Sequence, residues 1–268
     1  MTSAGIVLAG GRSTRMGRPK ATLEWHGSTL LRRTVGILGR AVDGPVVVVR
    51  GAGQELPALP PDIELAEDER AGRSPLQGLA AGLAAVGARA DAAFVCGADA
   101  PLLHPAVVRC VVAALRDGDD VALPRAHGHV QPLAAAYRVT VAHRVEELLR
   151  ADVLSARALL ERCRVRTLDE AALLADPTVA ALDPALESLT NVNDAAQYEA
   201  ARARPAPLVA VSGRGAIRAA TLAGAGGGPA TVAGRRVSDP EEPLVAGDVV
   251  TFEERRGARS ARDSWGSL

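Results

Sequence analysis

The sequence predicts an α/β fold with a mostly parallel sheet, followed by a small β-rich appendage. Across residues 1–203, short strand-like runs alternate with helical apolar patterns. Those runs are continuously apolar, as expected of strands covered on both faces. Beyond Ala203 the texture shifts to a proline-containing stretch and clustered glycines.

The elements follow in order. Gly5-Ile-Val-Leu-Ala9 is an apolar run ending at a glycine pair and reads as a buried strand. Ser28 is placed to cap a helix whose apolar positions are Leu31, Val35 and Leu38. Pro45 introduces Val46-Val47-Val48-Val49, and four β-branched residues in a row make another buried strand. Ile63-Glu64-Leu65 gives a weaker strand pattern, and Leu79, Leu83 and Val86 share a helical face. Ala92 to Cys96 is a strand, followed by a helix bearing Val107, Val108, Val111, Val112 and Leu115. Val121-Ala-Leu123 and Leu133 to Tyr137 read as strands, and Val141, Val145, Leu148 and Leu149 as one more helix.

Three segments follow from this reading: a main domain at 1–203, a β-rich appendage at 208–254, and a flexible tail at 255–268. Arg204-Pro-Ala-Pro207 is the linker, and Val249 to Phe252 the best strand beyond it. Ligands of open parallel sheets sit at the carboxyl ends of the strands, so the loops after strands carry the chemistry.

Composition narrows the class. Lys and Arg total 31, as do Asp and Glu, so the chain is formally neutral and offers no basic stripe to a nucleic acid. Lys20 is the one lysine among those 31 cations, and Asn191 and Asn193 are the two asparagines. Aromatic residues are 2% of the chain, so the core must be aliphatic. Cys96, Cys110 and Cys163 form neither a disulfide framework nor a paired metal motif, and the histidines His26, His104, His127, His129 and His143 form no metal set. No stretch reaches the roughly 18 apolar residues of a membrane span, and Met1 to Gly11 lacks the basic region of a leader. A cytoplasmic location is the expectation.

Leu8-Ala-Gly-Gly-Arg-Ser-Thr-Arg-Met-Gly-Arg-Pro-Lys20 is the most informative segment. Gly10, Gly11 and Gly17 let backbone N–H groups turn toward an anion, while Arg12, Arg15, Arg18 and Lys20 add positive charge. Amides plus cations on a loop directly after a buried strand describe a polyphosphate site. Neither the Walker pattern nor G-x-G-x-x-G is present. Asp99, in Cys-Gly-Ala-Asp-Ala-Pro-Leu103, follows another buried strand. It is placed either to hold Mg2+ through one oxygen or to cap the helix beginning near His104. Asp68 reads either as a functional acid after a strand or as one more surface acid in Glu67-Asp-Glu69.

The glycine–arginine segment resembles the signature Leu-x-Gly-Gly-x-Ser-x-Arg-Met-Gly-x-x-Lys of the small nucleotidyltransferases, in particular the molybdenum cofactor guanylyltransferases. The resemblance runs from about Gly5 to Arg202. It implies a Rossmann-like nucleotidyltransferase domain that binds GTP with Mg2+ and passes GMP to the phosphate of molybdopterin, releasing pyrophosphate. By the same resemblance, Leu8, Ala9, Gly10, Gly11, Lys20, Asp68, Gly78 and Asp99 bind the nucleotide. Arg15, Lys20 and Asp99 are catalytic, and Asp99 is the metal ligand. Pro75-Leu-Gln-Gly78 is similar to the family's second nucleotide-binding turn, although Ser74 stands where the family has glycine. Asn191-Val-Asn193 matches a turn that faces the acceptor, with Asp194 capping the helix that follows. Gln131-Pro-Leu-Ala134 resembles the start of a strand beside the acceptor pocket.

The phosphate loop does not choose the base, so a transferase using CTP or a phospholactate-like acceptor stands as the alternative. A non-catalytic nucleotide-binding scaffold is the third reading. Ala230 to Val237 and Pro243 to Phe252 are similar to the closing half of small β-grasp sulfur carriers. That likeness leaves a degenerate β-grasp or a flexible tail open, and implies contacts with other molybdenum cofactor proteins. Carriers end in Gly-Gly and this sequence ends Trp265-Gly-Ser-Leu268, so no carrier chemistry is expected.

Overall fold

The computed structural model describes residues 1–10, 18–68 and 74–253. The chain folds as two compact units, Met1–Ala206 and Pro207–Leu268.

The first unit opens with β1 (Ser3–Leu8) and a small ribbon, β2 (Glu24–Trp25) and β3 (Ser28–Thr29), which turns through His26 and Gly27, both at positive φ. α1 (Leu30–Gly39) crosses to β4 (Val46–Gly51), and β5 (Glu64–Asp68) extends the same edge. α2 (Pro75–Val86) leads back to β6 (Ala92–Gly97), and α3 (Pro105–Ala113) to β7 (Val121–Ala126). There follow β8 (His129–Val130), β9 (Ala134–Arg138), α4 (Ala142–Arg150), α5 (Ala156–Leu160) and β10 (Val165–Leu168). The short helices α6 (Glu170–Leu174) and α7 (Pro177–Leu182) and a longer one, α8 (Ala195–Arg202), complete the unit.

The strands lie in the order β10-β7-β9-β6-β1-β4-β5, with β8 paired to β7. Along that path only β9 runs against the rest, antiparallel to both β6 and β7. Chain order reverses at β1: β4 and β5 build outward on one side and β6 on the other. The crevice at the carboxyl ends of β1 and β6 is therefore the topological switch point, where open α/β sheets bind ligands.

Both faces of the sheet are covered, which explains the continuous apolar strands. On one face Leu76, Leu79 and Leu83 of α2 and Val145 and Leu148 of α4 pack with Ile6, Val47, Val49, Ala93 and Val95. On the other, α1 lies close enough to β1 that a Cβ on Gly5 would come within 2.9 Å of Leu38 Cδ1. α1 is capped by Thr29, whose hydroxyl accepts from Arg32 N–H at 3.2 Å. Ser28, the cap expected from sequence, is instead paired with Trp25 across the ribbon.

Two glycines in helices make opposite predictions. A Cβ on Gly82 of α2 would lie 2.6 Å from Cγ2 of the fully buried Ile6, whereas one on Gly39 of α1 would meet nothing within 4 Å. Alanine gains up to about 1 kcal/mol over glycine in a helix, but overpacking a core costs about 1–3 kcal/mol. Gly82→Ala should therefore lower the urea midpoint and Gly39→Ala should raise it slightly. A stabilised Gly82→Ala variant would show that α2 has room to move.

The second unit is a five-stranded sheet of β11 (Leu208–Val211), β12 (Gly215–Arg218), β13 (Ala230–Val232), β14 (Arg235–Val237) and β15 (Val249–Phe252), in the order β12-β11-β15-β13-β14. The first and last strands pair in parallel at its centre, with a hairpin on each side. That is a β-grasp arrangement of strands, but turns occupy the connection between the hairpins, where a β-grasp carries its helix. Leu222 and Ala225 of that connection supply the covering apolar side chains, packed with Val209, Val211, Val232, Leu244 and Val250. The tail expected at 255–268 lies outside the described residues. Among the described residues no helix is long and apolar enough to cross a membrane.

Candidate active site

The site grows from the ends of two adjacent parallel strands. After β1, Ala9 and Gly10 both donate their N–H groups to the Val49 carbonyl, at 2.8 and 3.1 Å. This turns the chain across the end of β4. A Cβ on Gly10 would stand 3.1 Å from the backbone nitrogen of Gly51, so glycine permits that close approach. Gln54 fastens the same corner: its Nε2 donates to the Ala9 carbonyl and its Oε1 accepts from Gly51 N–H, each at 3.0 Å. Nothing in its sequence surroundings marks Gln54 as part of the site. Gly11 and Arg15, both expected at the phosphates, lie outside the described residues.

The chain is described again from Arg18. Pro19 fixes the backbone ahead of a short 3-10 turn, Lys20–Thr22, whose first side chain reaches back over the crevice. Lys20 Nζ donates to Asp99 Oδ2 at 2.8 Å, and each side chain is 22% exposed. A cation that ends the loop after β1 thus meets the carboxylate that follows β6. The two residues are 79 positions apart in sequence.

Asp99 is held from several directions. Its carbonyl accepts from Val192 N–H at 2.9 Å, tying it to the Asn191-Val-Asn193 turn. Two residues on, the Pro101 carbonyl accepts from the buried Arg33 Nε at 2.6 Å, and the Leu102 carbonyl accepts from the Ser188 hydroxyl at 3.3 Å. A Cβ on Gly97 would fall 2.3 Å from Asp99 Oδ1, so the carboxylate lies in space that a side chain at 97 would fill. Asp99 does not cap the next helix. His104 does, its Nδ1 accepting from Ala106 N–H at 3.1 Å. The Cys96 thiol is pushed far above its usual range by burial, reinforced by the negative charge of Asp99, so it stays protonated.

The remaining expected residues gather at the same end of the sheet. Asp68 closes β5 opposite Gly51 and is buried, which removes its reading as a surface acid. Gly78 sits in the first turn of α2, where a Cβ would be 3.2 Å from Leu8 Cδ2. Ser74, the departure from the family's glycine, caps α2: its hydroxyl oxygen accepts from Leu76 N–H at 3.0 Å and its hydroxyl donates to the Leu154 carbonyl at 2.6 Å. Asn191 is half-buried and Asn193 exposed, flanking the buried Val192. Val192 packs with Leu23, Trp25, Leu30, Tyr198 and Ala201, so the segment after Lys20, the Asp99 loop and the α8 turn share one small core. Asp194 caps α8 by accepting from Gln197 N–H at 2.8 Å. A cavity of about 520 Å3 at the opposite end of the sheet, lined by Ser3, Asp43, Arg109, Asp117 and Arg138 among others, shares none of these residues.

A carboxylate such as that of Asp99 suits a hard divalent cation that draws its other oxygen ligands from a bound ligand and water. Among the described residues no group of three or more His, Cys, Asp or Glu could enclose a metal by itself.

The fold and the crevice define a nucleotidyltransferase. Residues 5–169 match the model of the MobA-like NTP transferase domain, and the chain belongs to that family. It is 41% identical over 165 residues to a probable molybdenum cofactor guanylyltransferase of Mycobacterium avium, covering 60% of this chain and 82% of that one. It is 38% identical over 201 residues to the Mycobacterium tuberculosis protein of the same description, covering 74% and 92%. Among solved structures, molybdopterin-guanine dinucleotide biosynthesis protein A of Archaeoglobus fulgidus superposes with a TM-score of 0.59 at 20% identity, covering 74% of this chain and 96% of its own. The 2-C-methyl-D-erythritol 4-phosphate cytidylyltransferase of Thermus thermophilus gives 0.53 at 17% identity, covering 74% and 97%. These two structural likenesses speak to the fold.

Proposed function

We propose that this enzyme moves GMP from GTP to the terminal phosphate of molybdopterin and releases pyrophosphate. The observation that carries the reading is the Lys20–Asp99 pair at 2.8 Å, a cation and a metal-type carboxylate converging at the switch point. The choice of guanine and molybdopterin rests on what the relatives at 38–41% identity are called.

In this reading the triphosphate lies over the Gly10/Gly11 loop, and Arg15 and Lys20 neutralise it. Asp68 and Gly78 face the nucleoside, while Asn191 and Asn193 orient the acceptor. Asp99 holds Mg2+, which when bound supplies Lewis-acid polarisation at the α-phosphate. The acceptor phosphate is already anionic at neutral pH, so the protein needs neither a nucleophile nor a general base. Its contribution is positioning and preorganised charge. Without nucleotide, Lys20 and Asp99 neutralise each other; phosphate competes for the one and metal for the other.

The test is thermal shift with GTP, CTP, ATP and UTP, each with Mg2+, followed by pyrophosphate release with molybdopterin. GTP should raise the melting temperature most and should alone support rapid release. A CTP-selective protein would transfer the reading to the cytidylyl branch, and binding without turnover would make the chain a scaffold.

A further inference from the structure

In the parallel ladder between β1 and β4, alternate residues of β1 donate an N–H to a β4 carbonyl and accept from the N–H two residues beyond it. The series opens with Gly5 N–H on the Pro45 carbonyl at 3.0 Å and reaches Ala9 N–H on the Val49 carbonyl at 2.8 Å. Its next rung would run from Gly51 N–H to the Ala9 carbonyl, and that rung is not made. Both groups turn instead to the side chain of Gln54. Gly51 N–H donates to Oε1 and Nε2 donates to the Ala9 carbonyl, each at 3.0 Å. A carboxamide carries the donor and acceptor of a peptide group, so it is spliced into the ladder with neither backbone group left unpaired. The splice is anchored through its own backbone. Gln54 N–H donates to the Gly51 carbonyl at 3.0 Å, closing a tight turn through Gly53 at φ 70°. The Gln54 carbonyl accepts from Arg50 Nη1 at 3.2 Å, and Arg50 Nη2 donates to Glu67 of β5 at 2.6 Å.

A direct rung would draw the ends of β1 and β4 together, whereas the inserted amide keeps them apart. The end held open is the one from which the phosphate loop departs, and Gly10 N–H shares the Val49 carbonyl there at 3.1 Å. Closing the rung would carry Ala9 and Gly10 toward Gly51, whose backbone nitrogen is already 3.1 Å from where a Gly10 Cβ would stand. Folding alone does not call for glutamine at 54, because the two backbone groups that it satisfies could satisfy each other. We infer that Gln54 is a positioning residue: its carboxamide replaces one rung of the β1–β4 ladder and so sets the direction in which the phosphate loop leaves the sheet. This role rests on the proposed function, in which the triphosphate lies over that loop. Gln54 acts through the loop and need not touch the nucleotide. Misplacing a binding group by about 1 Å can cost about a hundredfold in rate, so a one-rung change at the root of the loop is large enough to measure.

The experiment compares the full-length protein with Gln54→Ala and Gln54→Glu. Alanine lets Gly51 N–H and the Ala9 carbonyl close the ordinary rung, while glutamate keeps the volume but cannot donate to that carbonyl at neutral pH. The measurements are the melting temperature without nucleotide, and kcat and KM for GTP and for molybdopterin in pyrophosphate release. Because the rung re-forms, Gln54→Ala should melt within about 4 °C of the unmodified protein, a shift worth about one net hydrogen bond. KM for GTP should nevertheless rise at least about tenfold in both variants, with KM for molybdopterin within about twofold of its original value. A merely structural glutamine gives the opposite pattern, a lower melting temperature with KM for GTP unchanged. An unchanged KM for GTP in either folded variant overturns the assignment. Failure of both variants to fold overturns it as well, since the splice would then be a requirement of the sheet itself. The parent reading fails separately, if the unmodified protein prefers another nucleoside triphosphate; the same comparison is then made with that nucleotide, and a protein that binds none loses both.

Discussion

Lys20→Ala and Asp99→Ala should each slow pyrophosphate release from GTP by about 10²–10³-fold, while the protein keeps its melting temperature within a few degrees. The rate estimate follows from the loss of one preorganised charge contact to a transition state that concentrates negative charge on phosphate oxygens. The small stability change follows from exposure. Both side chains of the 2.8 Å pair are partly solvated, so their mutual attraction adds little to folding. Lys20→Arg should recover only part of the rate, because a broad guanidinium fork does not reproduce a compact ammonium at one oxygen. The double variant should fall by less than the product of the single effects, since each residue positions the other. Initial rates at saturating Mg2+ decide the matter. Near-native turnover in either single variant would remove the pair from the chemistry.

The two members of that pair, though not their contact, are legible in the sequence because each lies in a segment that follows a buried strand, and buried strands announce themselves. Val46 to Val49 and Ala92 to Cys96 are apolar at consecutive positions because helices cover both faces of the sheet. Strand direction leaves no comparable mark. Ala134 to Tyr137 reads as a strand, yet nothing local says that it runs antiparallel between β6 and β7. The helix start lies one residue beyond the expected cap, because Ser28 and Thr29 are both competent caps, both are paired in the ribbon, and it is the Thr29 hydroxyl that accepts from Arg32 N–H. The supports of the site are hidden for another reason. Gln54, Arg33 and Ser188 reach backbone groups 45, 68 and 84 positions away, and in sequence each is an ordinary polar residue. Short α5, α6 and α7 depend on the hydroxyl or carboxylate caps Ser155, Asp169 and Asp176 more than on a periodic apolar stripe.

Asp120→Ala should destabilise the first unit by about 2–3 kcal/mol, second in size only to the catalytic losses. The Asp120 side chain is 8% exposed at the start of β7. Its Oδ2 accepts from Arg164 N–H at 2.8 Å, and Arg144 Nη1 stands 3.0 Å from Oδ1 as an ion pair without hydrogen-bond alignment. Its own N–H donates to the Arg164 carbonyl and its carbonyl accepts from Arg138 N–H, so one residue joins β7 to the approach of β10 and the end of β9. Alanine would leave the Arg164 N–H and the Arg144 charge without their acceptor. Arg144 is 26% exposed and recovers some hydration, which keeps the cost below that of a fully buried pair. The pH dependence has a definite sign. Burial alone would raise the Asp120 carboxyl, but the Arg164 N–H and the charges of Arg144 and Arg164 outweigh it and hold it below its usual range. The unfolded chain then binds the extra proton first, so this stabilisation is complete above about pH 5 and is lost as pH falls through the lowered native pKa. Urea denaturation from pH 7 to pH 3 should show the gap between the unmodified protein and Asp120→Asn constant down to about pH 5 and closing below about pH 4. A gap that stays constant to pH 3 would mean that the carboxylate's charge contributes nothing to the clamp.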